Sequence, residues 1–271
     1  MAVSWHPIHP KHAIERTRIV VQFKDKLPQK TIQKLGEAFE GLRQDFGFGP
    51  RVEVQTHTLL VGPDGPTPQM LSQQARGWQF VREAAPGAVL EALVLDPEGL
   101  VYENVEYVRW ADFWSRASAM LLPLVAGIAD VSDLRLFSLE YFDRFVFAGS
   151  PAEAAPTTLI RNKLIETLPA SARSGEELWH LHRGWYETFG GIRVLINQNI
   201  DANDGQNPKG EQARAVGVYT KVERRNRNEI VDAGQLSNDI VKMHEISKSI
   251  FASAIIDEVH QRIGLHDGAD S

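Results

Sequence analysis

The sequence predicts an α+β protein, with largely antiparallel sheets packed against three main helices. Short runs alternate apolar and polar residues, and several are joined by connections too tight for anything but antiparallel neighbours. Three longer stretches instead repeat apolar residues at three-four spacing, the signature of a helix with one buried face. Three antiparallel strands followed by a helix occur twice, over about 77–128 and 178–263, which allows two related halves.

The first strand is expected over 17–23, where Ile19, Val21 and Phe23 share a face. After Pro28, the residues Ile32, Leu35, Phe39, Leu42 and Phe46 lay one stripe along a helix that the glycines at 47 and 49 stop. Val52 and Val54 begin a second strand, and a Gly-Pro-Asp-Gly-Pro run at 62–66 marks a turn-rich loop. Strands over 77–83, 88–95 and 100–108 follow, separated by Pro86-Gly87 and by 96–99. Trp110, Phe113, Ala117, Leu121 and Leu124 then define a second helix, bent by Pro123. Residues 134–147 alternate in the middle and form a long central strand.

Beyond it, 151–175 reads as a linker with a short helix, dividing an N-terminal half, 1–150, from a C-terminal half, 176–271. The C-terminal half begins with strands over 178–188 and 192–200, joined at Gly190-Gly191. A polar loop leads to a further strand over 213–222 and to a long final helix carrying Leu236, Ile240, Met243 and Ile250 up to Gly264.

The chain has 271 residues, 43% of them hydrophobic, enough for a sizeable core and incompatible with disorder as its main state. Against 29 basic residues stand 35 acidic ones, and the net charge of −6 argues against wholesale coating of nucleic acid or anionic membrane. With no cysteine, a disulfide framework, a thiolate metal site and a cysteine nucleophile are excluded. The most apolar run, 117–129, is far shorter than the roughly 20 residues a bilayer requires. No membrane association, no cofactor and a cytoplasmic location are therefore expected.

Several anchor segments resemble a family: His6-Pro7-Ile8, Trp78 and Phe80, Tyr107-Val108-Arg109-Trp110, the run Leu139 to Phe145, and His244 on the last helix. The chain is similar along most of its length to a sporadically distributed family of uncharacterised bacterial proteins. These motifs are apolar and aromatic positions, so they bear on kinship and hardly on activity. The scattered occurrence of such a family implies a mobile or accessory role, such as an antitoxin-like or defence-associated protein. Where the family would lead one to expect Leu-His and Ile-Thr pairs, this chain has Met243-His244 and Ala254-Ile255.

Candidate site residues are few. Glu140, Asp143 and Arg144 interrupt an apolar central strand, and charges there must be paired or reach a cavity; a structural pair with Arg109 or Arg135 is the plainer reading. Lys221, Arg224, Arg225 and Arg227 form the densest basic cluster, placed at a strand-to-helix connection, and could touch phosphate. Trp5, ahead of the first strand, must dock on its own body or on another chain. His180 and His182 share a strand face but lack a third metal ligand, His6, His9 and His12 lie among prolines, and 201–207 fails the spacing of a calcium loop. No metal is expected. No phosphate-binding glycine loop or nucleophile elbow is present.

Three functions stay open. The first is a non-enzymatic protein-binding module that recognises a protein partner or associates with itself, using Trp5. The second is a small-ligand protein or enzyme with a cavity lined by Glu140, Asp143 and Arg144. The third is nucleic-acid binding through the cluster from Lys221 to Arg227.

Overall fold

The computed structural model describes residues 5–54, 61–62, 65–66, 77–173, 177–206, 210–226 and 231–265. In chain order the strands and helices are β1 (Trp5–Pro7), β2 (Ile14–Phe23), α1 (Gln29–Leu42), β3 (Val52–Val54), β4 (Val61–Gly62), β5 (Gly65–Pro66), β6 (Gly77–Ala85), β7 (Ala88–Asp96), β8 (Gly99–Asn104), α2 (Trp110–Ala126), β9 (Leu134–Phe147), α3 (Asn162–Ile165), β10 (Trp179–Phe189), β11 (Ile192–Gln206), β12 (Gln212–Arg225), α4 (Ala233–Ala254) and α5 (Asp257–Arg262).

One antiparallel sheet takes in every strand except β4 and β5, in the order β10-β11-β12-β9-β2-β8-β7-β6-β3, with β1 added against the end of β9. The segments on either side of 151–175 share this sheet, joined where β9 pairs with β12. Toward the central β2–β9 pair the same order of elements runs inward twice: β6, β7, β8 and then α2 on one side, β10, β11, β12 and then α4 on the other. Residues 151–173 are less a free connection than a piece of core, since Leu159, Ile160, Leu164, Ile165 and Leu168 are all buried.

The long helices α1, α2 and α4 cover one face of the sheet. Pro28 sits just ahead of α1, where its fixed φ suits a helix start, and Ile32, Leu35 and Phe39 point inward at the predicted spacing. α2 carries Pro123 near its end and buries Phe113, Ala117, Leu121 and Leu124.

Several elements depart from expectation, among them β1, since no strand was expected ahead of residue 17, and β8, which ends at Asn104 instead of 108. The helix expected within the linker is a single turn, α3. The polar loop begun at Asp201 is strand instead, because β11 continues to Gln206 in register with β12. The final helix breaks at Ile255, whose extended backbone bridges to Ile160, while Arg161 N–H donates to the Ala254 carbonyl and Ile256 N–H to that of Leu159. A tertiary hydrogen bond thus replaces the next helical turn.

Candidate functional site

The covered face of the sheet carries a polar row that crosses eight strands. Arg183, Gln198, Thr220, Tyr141, Thr17, Asn104, Glu91 and Arg82 are successive cross-strand neighbours from β10 to β6. Their side chains share a face because antiparallel partners always do. On one side the adjoining row is apolar throughout: Trp185, Ile196, Val222, Leu139, Ile19, Tyr102, Leu93 and Phe80. On the other side run Leu181, Ile200 and Val218, followed by Asp143 and Ile14. The belt separates two hydrophobic clusters, one around Leu139 and Phe137, the other around Phe145, Val218 and the α3 region.

Ionised groups in the belt are met by others at its β7 end. Glu91, 2% exposed, accepts from Arg116 Nε at 2.8 Å, from Arg116 Nη2 at 2.7 Å, from Arg82 Nη2 at 3.2 Å and from Asn104 Nδ2 at 2.8 Å. This bidentate, three-donor arrangement is what a buried carboxylate requires. A cavity of about 360 Å³ opens beside it.

The middle of the belt is different. A cavity of about 870 Å³ lies between the sheet and α4, walled by Tyr141, Asp143 and Thr220 below, by His244, Ser247 and Phe251 above, and by the loops around His12 and Tyr107. Tyr141 Oη and His244 Nδ1 share a hydrogen bond of 2.9 Å across it. The His244 ring stacks on Trp110 at 4.1 Å, and Trp110 on Trp114 at 5.8 Å, so the first turn of α2 fixes the imidazole in place. Ser247 Oγ is buried without a hydrogen bond. Burial, reinforced by neighbouring His9, lowers the His12 pKa from its ordinary value.

Asp143 is the anomaly. It stands in an apolar row, 6% exposed, and none of the described hydrogen bonds or ion pairs reaches its carboxyl. Burial alone pushes its pKa up to about 8, so at neutral pH it holds a proton unless a cation arrives. Around the mouth lie Lys11, Arg109, Lys248 and Arg262, with Glu106 as the acidic exception. An acid at the floor and basic groups at the rim can together grip a molecule with opposite charges at its two ends.

Of the predicted trio, only Asp143 lines this cavity. Strand alternation turns Glu140 and Arg144 to the opposite face. There Glu140 accepts from Ser138 Oγ at 3.0 Å and approaches Arg18 at 4.0 Å, and Arg144 pairs with Glu15 at 3.0 Å. The partners are thus Arg18 and Glu15, in place of Arg109 and Arg135. Arg109 instead reaches the cavity mouth. The basic cluster is also divided, and its described members, Lys221, Arg224 and Arg225, lie on β12 rather than in a connection. Lys221 and Arg225 flank Glu223 on one face, and Arg224 pairs with the fully buried Asp239 of α4 on the other. Arg227 lies outside the described residues. Trp5 is no exposed anchor: it is 1% exposed, packs on Phe147 at 5.1 Å and donates from Nε1 to Thr158 Oγ1 at 3.1 Å. His180 lies 3.0 Å from Asp201 and His182 beside Asn199.

Tyr141, Thr220 and Ser247 were not singled out from the sequence, and His12 was weighed there only as a metal ligand with His6 and His9. Thr220 carried a signal, as the one polar residue among Val216, Val218 and Val222 on its face. Scanned against models of known families and against curated proteins, the chain has no match.

Proposed function

We propose that this protein binds a small zwitterionic ligand, one bearing an amine and an acidic group, in the cavity between the sheet and α4. The observation that supports this reading is Asp143, a buried carboxyl facing a cavity of ligand size with no partner of its own among the described residues. An amine seated there would take the place of the missing counter-ion, and the acidic group would face Lys11, Arg109 and Arg262 at the mouth. Below about pH 8 such an amine ionises Asp143 as it binds, so complex formation releases a proton.

Binding is favoured over catalysis because Ser247 and His244, the serine and histidine that α4 presents to this cavity, are not engaged with each other. Ser247 makes no hydrogen bond to His244, whose Nδ1 is given to Tyr141. The wider role we attach to this reading follows the family resemblance: a cytoplasmic accessory protein, antitoxin-like or defence-associated, that senses a ligand without transforming it. Nucleic-acid binding loses support, since Lys221, Arg224 and Arg225 each face a carboxylate.

The test is a thermal-shift panel of amino acids and amine-bearing phosphates, with simple amines and simple carboxylates as controls, on wild type and Asp143→Asn. The reading expects zwitterions to stabilise wild type, with the gain largely lost in the variant. If no zwitterion raises the melting temperature of wild type above the controls, the reading fails.

A further inference from the structure

Edge strands offer unpaired backbone groups to other chains, and proteins normally blunt them with brevity, bulges, proline or lysine. The sheet ends at β3 with only three residues, Val52–Val54. Its other end, β10, is eleven residues long, pairs with β11 without a single register shift, and contains neither proline nor lysine. Its hairpin closes through Gly190 and Gly191, both with positive φ (50° and 83°), the two-residue turn that follows a hydrogen-bonded pair, here Phe189 and Ile192. By alternation His182, Gly184, Tyr186 and Thr188 turn their N–H and C=O groups away from the sheet. Tyr186 and Phe189 are 51% and 42% exposed.

Two charges on this strand lack ionic partners among the described residues. Arg183 donates to Gln198 Oε1 at 2.8 Å and lies over the Trp185 ring at 5.0 Å, but meets no carboxylate. Glu187 accepts from Trp185 Nε1 at 3.1 Å and meets no cation. They flank Trp185 symmetrically, two residues to either side, on the same face.

We propose that β10 is a dimerisation edge, through which a second copy of this chain pairs antiparallel about a two-fold axis at Trp185. In that register Arg183 lies opposite Glu187 of the second copy, and Glu187 opposite its Arg183. Leu181 meets Phe189, and the two Trp185 rings adjoin. About eight backbone hydrogen bonds form, from the groups that now point outward. The neighbouring registers are poorer. An axis at Gly184 sets Glu187 against Leu181, and one at Arg183 opposes two guanidinium groups. The occupant is a second copy because the strand is its own complement in charge and in apolar contacts, and the axis leaves all helices on one face of a continuous sheet.

Light scattering coupled to size exclusion, across a concentration series of the full chain, tests this. Wild type is expected to dimerise, and Arg183→Glu and Glu187→Arg are each expected to weaken association about tenfold or more, since each reversal opposes like charges twice per dimer. Mixing the two variants restores both attractive pairs and should restore the dimer, which misfolded variants could not do. A wild type that stays monomeric throughout, or a dimer indifferent to both reversals, would overturn the proposal.

Discussion

Asp143 makes the pH dependence of folding a direct test of how the site is built. In the unfolded chain its carboxyl titrates near its ordinary value of 3.8, whereas in the folded chain burial moves that value to about 8. Between these limits the folded state holds one proton more than the unfolded state. The contribution of this one group to stability is therefore most favourable below 3.8, declines as pH rises, and is fully lost once pH passes the folded value. Each pH unit inside the window costs about 1.4 kcal/mol. Asparagine preserves shape and does not titrate, so subtracting wild type from Asp143→Asn cancels every other group. The variant should be the more stable protein, and its advantage should widen by about 4 kcal/mol between pH 5 and pH 8. For a chain of this size that is on the order of 10 °C in melting temperature. Thermal melts of both proteins at half-unit pH steps, without ligand, read the slope directly. A gap that stays constant over this window would mean that Asp143 is ionised at neutral pH, and the case for a missing counter-ion would collapse.

Two further outcomes bear on the frame around the site. Glu91→Gln leaves Arg82 and Arg116 facing a neutral amide in the interior, and should cost roughly 3–5 kcal/mol in urea unfolding; a loss below about 1 kcal/mol would mean that the cluster is effectively solvated. Trp5→Ala removes a core side chain, so it should lower stability by about 3–5 kcal/mol by the same measurement, where an exposed anchor would leave stability untouched.

Periodicity made most of the sheet legible. Residues 134–147 alternate so regularly that β9 occupies that range without adjustment, and the stripes of α1 and α2 locate both helices. Where the reading failed, the deciding partner lay far away in sequence. Asp201 to Gln206 look like a loop because they are polar, yet β12 supplies the backbone partners that hold them extended. The apolar face of α4 gives no sign of ending at Ala254, since the competing bond comes from Ile160 and Arg161. β1 is three residues long, too short for a period to show. Asp143 was visible as a charge in an apolar strand, but grouping it with Glu140 and Arg144 ignored parity. Position 143 shares a face with Tyr141, while 140 and 144 share the other. His244 stood out in the sequence as an anchor of the family resemblance, and its significance depends on Tyr141 and Trp110, which only the fold brings to it.

The contrast between the two buried acids supports a functional reading of the cavity. Glu91 and Asp143 stand on the same face of one sheet, one in the polar belt and the other a row away. Around Glu91 the chain has assembled two guanidinium groups and an amide, so the fold is able to neutralise an acid at this depth. Cations are also at hand near Asp143, yet Arg109 stays exposed at the mouth and Asp143 is left to its apolar neighbours. Structural economy alone would favour a leucine or valine there, matching Ile200 and Val218 in the same row. An acid kept at that cost, with open volume directly before it, is explained by a group that arrives from outside to meet it.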